Sequence, residues 1–388
     1  MASAKHVLPI IVFSQFCCTS LWFATNGVIQ DLVREFHLEP SALGHLSSAV
    51  QFGFIIGTFL FALLAITDRF SSSKVFFVSA IIAALFNVAM VFGNQNLLSL
   101  VILRFFTGFF LAGIYPVGMK IAADYYNKGL GQSLGFLVGA LVLGTAFPHI
   151  LKGFDNLFSY ATIIYTTTAL AMLGGVIMMV FVPDGPYKKS ALKLDFSICF
   201  DVFKKQNFRK SAFGYFGHMW ELYTFWAFVP VILAAYLELH IQVTFSIPIM
   251  SFIIIASGAV ACVISGYLSE RYGAKQVGGW ALILSGACCL LSPLFFMVQS
   301  EIIFILFLMF WGMVVVADSP LFSTLVAQNV IAEHKGTALT IVNSIGFAIT
   351  IISIQLISNL TALISVQYLF VLLALGPVLG LIALFKKS

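Results

Sequence analysis

The chain has 388 residues, of which 61% are hydrophobic and only 9% charged; this excludes an ordinary soluble domain, where about 25% of residues carry charge. Its 41 Phe residues suit a lipid-facing surface better than a single soluble core. The net charge of +5 does not point to nucleic acid, because in a membrane protein the basic residues report topology first.

Long apolar runs recur from end to end. A transmembrane β-barrel would alternate apolar and polar residues over roughly ten-residue strands, and that alternation is absent. The runs predict an all-α membrane protein with twelve transmembrane helices. In chain order the spans fall near residues 7–29, 42–67, 75–93, 97–120, 131–152, 160–182, 211–236, 244–268, 276–297, 302–326, 337–357 and 362–385. The first run begins near His6 and is long enough to span, so no cleavable leader is expected. Most connections are short. The exception, "PDGPYKKSALKLDFSICFDVFKKQNFRK", covers residues 183–210. It divides the chain into an N-terminal six-helix bundle (1–182), a linker (183–210) and a C-terminal six-helix bundle (211–388). Six cysteines include two adjacent pairs, Cys17–Cys18 and Cys288–Cys289. Neighbours on a helix face different sides, so neither pair has metal-ligand spacing. The cysteines are read as small apolar residues, and no metal or cofactor is expected.

Basic residues set the orientation. With twelve spans, both termini and the linker share one side. That side holds Lys5, Arg69, Lys74, Lys120, Lys128, seven basic residues of the linker, Arg271, Lys275, Lys335, Lys386 and Lys387, which makes seventeen. The opposite side holds only Arg34 and Lys152. The excess predicts cytoplasmic termini and a cytoplasmic linker. "FSICFDVFKK" within the linker is amphipathic enough to lie on the membrane surface.

The sequence repeats itself weakly. Asp68–Arg69 after span 2 matches Glu270–Arg271 after span 8 at an offset of 202 residues. Gly108 and Pro116 of span 4 match Gly312 and Pro320 of span 10 at an offset of 204, and Gly144 matches Gly346 at 202. Two related six-span halves are a transporter architecture that places the solute site between the halves near the bilayer midplane. With these motifs the chain resembles the major facilitator superfamily. That family's loop signature, G-x-x-x-D/E-R-x-G-x-R/K, is matched by Gly266, Glu270, Arg271, Gly273 and Lys275. The first copy keeps Asp68, Arg69 and Lys74 but has Leu64 and Ser71 where the glycines would be. Arg104 followed by Gly108 fits the family's span 4 signature.

The resemblance implies that Asp68–Arg69 and the Glu270, Arg271, Gly273 and Lys275 turn form contacts that bias the equilibrium between access states. The plainer alternative is a charged turn that ends a helix on the cytoplasmic side. "GTAFPH" in span 5 only gestures at the Gly-Pro signature of proton-coupled drug exporters, and Gly131, Gly135 and Gly139 read better as a tight packing face. Spans 2 and 8 lack the Arg of the nitrate branch, which disfavours nitrate. Resemblances around "ADSP" and "AGIYPVGMK" imply a bacterial inner membrane.

An ionisable group at the bilayer centre costs at least about 2.5–3.5 kcal/mol on insertion scales. Arg104, Glu221 and Asp318 fall inside spans. Arg104 is read either as an anion or proton-relay contact or as a structural group held by a carboxylate or backbone carbonyls. Glu221 lies near the centre of span 7 with no basic residue one helical turn away, and a lone carboxylate in apolar surroundings suits a group that takes up and releases a proton. His218 shares its helix face at i−3 and either cooperates with Glu221 or bonds a neighbouring helix. Asp318 precedes Ser319–Pro320, where the proline interrupts helix hydrogen bonding. His149 and His45 read as interfacial. The resemblance has spans 1, 4, 7 and 10 lining the central path. That adds Trp22 and Asn26 of span 1, Tyr115 of span 4, Trp220 and Tyr223 of span 7 and Trp311 of span 10 as candidates, with Asn343 of span 11 beside them.

No G-x-x-x-x-G-K-[ST] phosphate loop occurs, and no nucleophile triad or metal cluster emerges, so an enzyme is not expected. The leading expectation is proton-coupled secondary transport of a small organic solute by alternating access, with small-molecule substrate, protons and the lipid bilayer as partners and a monomer as the working unit. The alternatives are a proton-coupled drug or multidrug exporter, and a non-transporting receptor or scaffold on the same fold.

Overall fold

The computed structural model of the protein describes residues 4–39, 41–126, 130–154, 159–187, 197–331 and 335–386. Linker residues 188–196, Lys128, Lys387 and the side chain of Asp68 lie outside the described residues. All regular structure among the described residues is helical. Eleven helices are long and apolar enough to cross a membrane, and a shorter apolar helix, His6–Thr19, precedes them.

The expected spans are present, with informative differences at their interiors. Spans 2, 3, 5 and 6 are single helices at Ala42–Leu63, Ser72–Ala89, Leu130–Lys152 and Tyr160–Phe181. Spans 7, 8, 9 and 11 are Gln206–Leu239, Ile247–Tyr272, Ala274–Phe296 and Lys335–Leu360. Span 12 begins as Val366–Leu369, tightens into a 3₁₀ segment at Phe370–Ala374 and resumes at Leu375–Phe385. Span 7 reaches back to Gln206, so its first turns come from residues assigned to the linker by sequence.

Spans 1, 4 and 10 are broken, which the sequence reading anticipated only for span 10. Span 1 is Ala4–Thr19 followed by Ala24–Gly27. Before the gap, the Thr19 hydroxyl donates to the Gln15 carbonyl and the Ser20 hydroxyl to the Cys17 carbonyl. Such back-bonding competes with regular helix hydrogen bonds. Span 4 is Leu97–Leu111 followed by Tyr115–Tyr125, and span 10 is Glu301–Ala317 followed by Ser319–Gln328. In both, a proline (Pro116, Pro320) stands in the first turn of the second piece, where its missing N–H costs nothing. Irregular backbone at membrane depth is tolerated where protein or a polar cavity satisfies it.

The glycines matched by sequence do the same work in both halves. A Cβ on Gly108 of span 4 would collide with the Val50 carbonyl of span 2, and one on Gly312 of span 10 with the Ile254 carbonyl of span 8. Both contact pairs are separated by the same 204 residues. Between the halves, span 5 packs along span 8. Cβ atoms on Gly135 and Gly139 would stand 3.0 Å from the Cys262 carbonyl oxygen and 3.3 Å from that of Ala259, which fits the small-residue packing face expected for span 5. Spans 2 and 11 meet at the end opposite the termini, where the Gln355 amide donates to Ser48 Oγ at 2.9 Å.

Candidate functional site

Two carboxylates are buried where the broken helices converge on span 7. Glu221 is 1% exposed. Its Oε1 accepts the indole N–H of Trp311 at 2.6 Å and the thiol of Cys289 at 3.2 Å; Ser285, one turn before Cys289, donates to the Leu282 carbonyl at 3.4 Å. Trp311 comes from span 10, Cys289 and Ser285 from span 9. Asp318 sits in the break of span 10, also 1% exposed, with Oδ1 2.7 Å from Nδ1 of His218. That approach is close but off the ideal hydrogen-bond angle, and Nε2 of His218 has no partner among the described residues. His218 therefore pairs with Asp318 across the bundle, and not with Glu221 on its own helix. Sequence spacing places residues on one face but does not say which neighbour stands opposite.

Arg104 answers to a different need. It is fully buried, and one guanidinium nitrogen donates to the carbonyls of both Leu21 (2.9 Å) and Trp22, in the break of span 1. Its other terminal nitrogen reaches Asn87 Oδ1 at 3.4 Å. The Asn87 amide in turn donates to the Ile164 carbonyl and the hydroxyls of Thr167 and Thr168. Arg104 thus ties span 4 to the break of span 1, where the Leu21 carbonyl also accepts from the Ala24 N–H at 3.4 Å; carbonyl partners are the structural alternative of its two readings.

A model of the major facilitator superfamily matches residues 11–354. The chain belongs to that family. As a member it is an integral membrane protein of a family of transporters. It is 20% identical over 185 residues to the MFS-type transporter YybF of Bacillus subtilis (strain 168), an alignment covering 46% of this chain and 45% of that protein. The chain thus spans about half the length of that curated relative. The crystal structure of the human organic anion transporter MFSD10 (TETRAN) superposes with a TM-score of 0.74 at 15% identity, covering 99% of this chain and 100% of that one; at this identity the likeness concerns the fold.

The remaining candidates in this major facilitator chain divide. Trp22, Tyr115 and Tyr223 converge: Trp22 meets Tyr223 at 5.7 Å and Tyr115 at 6.4 Å between ring centroids. Asn26 is buried nearby in the second piece of span 1 and donates to Ser47 Oγ at 3.0 Å. Asn343 is half-buried. Trp220 points elsewhere. Its indole donates to the Leu372 carbonyl at 3.2 Å in the 3₁₀ segment of span 12, and it lines an outward crevice with Leu356 and Val378. Two residues along a helix is more than half a turn, so Trp220 cannot share the face of His218. His149 lies in the last turn of span 5 and is 2% exposed, with Nε2 unpartnered among the described residues.

At the end carrying the termini, Gly273 holds φ +84° between spans 8 and 9, a conformation for which glycine is the default. The first motif copy does not need that glycine. Ser71 has φ −61°, and the left-handed residue is Ala65, which explains the degenerate match. Arg69 is exposed, Arg271 lies over the Tyr272 ring at 5.2 Å, and Lys275 lies over the Phe385 ring at 5.3 Å. Glu270 accepts from the Gln132 amide of span 5 at 3.1 Å, a contact between the halves. Cys289, Ser285, Asn87, Phe54, Trp226, Phe347 and Gln132 were not singled out by sequence. Asn87 alone carried a signal, as a lone amide in an apolar span.

Proposed function

We propose that this protein is a secondary transporter that moves a small organic solute by alternating access, with proton movement through Glu221 and Asp318. The observation that carries the reading is a pair of buried carboxylates, each 1% exposed, one within span 7 and one in the break of span 10, with no lysine or arginine paired with either among the described residues. An ionised carboxylate there is costly. Proton uptake relieves that cost at both. Each acid is held by groups from a different helix: Trp311 and Cys289 for Glu221, and the His218 imidazole for Asp318. A change of protonation therefore changes how spans 7, 9 and 10 hold one another, which is the coupling that alternating access requires. Arg104, occupied by carbonyls, is left out of the proton path.

The Gln132–Glu270 contact joins spans 5 and 8 at the end of the termini. We assign the Glu270–Lys275 turn, with Asp68 and Arg69, to gating at that end. The basic-residue asymmetry supports cytoplasmic termini, and the likeness to a Bacillus protein supports a bacterial inner membrane; a monomer is taken as the working unit. Uptake of a broad solute panel into proteoliposomes, with and without an inward-acid pH gradient, tests the reading. Flux that ignores the gradient contradicts proton coupling. No flux for any solute favours a receptor that kept the fold.

A further inference from the structure

Aromatic rings fill the space between the two halves. Trp22, in the break of span 1, stacks against Tyr223 of span 7 (5.7 Å, 26°) and Phe347 of span 11 (5.9 Å, 27°). Phe54 of span 2 closes the group, 4.8 Å from Trp22 and 4.6 Å from Phe347. Trp226 meets Tyr223 at 5.3 Å and 71°. Packing accounts for the rings but not for the polar atoms among them. Trp22 Nε1, Trp226 Nε1 and both amide atoms of Gln51 have no hydrogen-bond partner among the described residues, and all three residues are 0% exposed in the case of Trp22, Trp226 and Gln51 alike. Buried indole N–H groups usually find an acceptor, and so do buried amides. Gln51 stands one turn before Phe54, and Trp226 one turn after Tyr223, so each lies on the ring-bearing face of its helix. Trp22 and Trp226 are 204 residues apart, the spacing that relates Gly108 to Gly312. Each half thus supplies one donor.

The charged groups nearby already hold protein partners: Arg104 is bound to the Leu21 and Trp22 carbonyls, with Nε unpartnered among the described residues, Glu221 to Trp311 and Cys289, and Asp318 to His218. The ring cluster itself offers flat faces, two N–H donors and one amide, and none of its own residues carries a charge. Resting on the transporter reading above, we propose that the solute recognised here is an uncharged planar heterocycle. It enters between Trp22 and a facing ring, takes the indole N–H groups on a ring nitrogen or carbonyl, and pairs a donor–acceptor edge with the Gln51 amide. Offset stacking of aromatic planes favours such a guest, and the unpaired donors discriminate against flat molecules that lack acceptors.

The test is binding to the full-length protein in nanodiscs, read by tryptophan fluorescence and by thermal shift. The probes are adenine, uracil and nicotinamide, against benzoate as a planar anion and glucose as an uncharged non-aromatic ring. At least one heterocycle is expected to bind saturably and raise the melting temperature, with benzoate and glucose at least tenfold weaker. Trp22→Leu should weaken the bound heterocycle at least tenfold. Trp22→Phe, which keeps a ring and loses the N–H, should weaken it about fivefold, and Trp226→Phe serves if Trp22→Leu fails to fold. The inference is overturned if no heterocycle binds, if benzoate or glucose binds as tightly, or if the Trp22 variants bind unchanged. Proton-driven flux of another solute class would overturn this inference and leave the transporter reading standing. Heterocycle binding without any flux would do the reverse.

Discussion

Nδ1 of His218 lies 2.7 Å from Oδ1 of Asp318, with both side chains 1% exposed, and this pair ties the middle of span 7 to the break in span 10. Removing one partner of a buried pair costs about 3–5 kcal/mol, because the other is left without compensation. Asp318→Ala is expected to lower the melting temperature in detergent sharply. Asp318→Asn, which keeps an acceptor oxygen for the imidazole, should lower it less. Combined with His218→Gln, Asp318→Asn should cost less than the two single losses added together. Additive losses would show that the two groups do not act as a pair.

Trp311 donates to Glu221 at 2.6 Å. A hydrogen bond to a charged group contributes about 1.5–3 kcal/mol, so Trp311→Phe should destabilise by that order. In a Glu221→Gln background the same change should cost less, because the acceptor is then neutral. Equal costs in both backgrounds would mean that Glu221 is neutral throughout or that only ring packing is lost. Thermal unfolding of the four proteins decides between these outcomes.

Arg104 bridges two carbonyls in the span 1 break and reaches Asn87. Lysine carries the same charge but lacks the planar fork. Arg104→Lys is expected to lower stability by about 1–3 kcal/mol, while the surviving folded fraction keeps its solute affinity. A large loss of affinity with little loss of stability would restore the reading of Arg104 as a solute contact.

The fold was legible in the sequence because lipid enforces a simple code. Apolar runs of helical length located the spans, and glycines at repeated offsets marked matching close contacts. The pairing of Gly108 with Val50 and of Gly312 with Ile254 is the physical content of that offset. The site was legible only in part. Glu221, Asp318 and Arg104 were conspicuous because charge in an apolar run is rare. Their partners were not: Cys289 reads as one more small apolar residue, and the span 1 break has no proline to announce it. His218 was left between Glu221 and a neighbouring helix, because helical spacing orders one helix and is silent about its neighbours. Trp220 was a candidate because the resemblance has span 7 lining the central path; its indole donates instead to the Leu372 carbonyl of span 12.

Close helix approach makes a graded prediction. Gly108 leaves no room for a Cβ against the Val50 carbonyl, whereas a Cβ on Gly139 would stand 3.3 Å from the Ala259 carbonyl oxygen. Overpacking typically costs about 1–3 kcal/mol and occasionally more. Gly108→Ala should therefore impair folding or expression, and Gly139→Ala should be tolerated. Comparable melting temperatures for the two would contradict the observed approach of spans 2 and 4.

The Gln132–Glu270 hydrogen bond lies at the exposed end of spans 5 and 8. An exposed contact of this kind is worth no more than about 1 kcal/mol, a shift of up to about fivefold in a two-state equilibrium. Gln132→Ala is expected to raise the labelling rate of a cysteine placed at Ser323, in the second piece of span 10, by a membrane-impermeant reagent added from the side of the termini. An unchanged rate would remove Glu270 from the gate.

The most direct measurement is proton entry during solute flux, read by a pH-sensitive dye sealed inside proteoliposomes. With a transported solute outside, the wild-type protein is expected to acidify the lumen in step with uptake. Glu221→Gln and Asp318→Asn should each abolish the acidification while retaining exchange of solute for solute. Acidification that persists in both variants, or wild-type uptake with none, would contradict the assignment of proton movement to these two carboxylates.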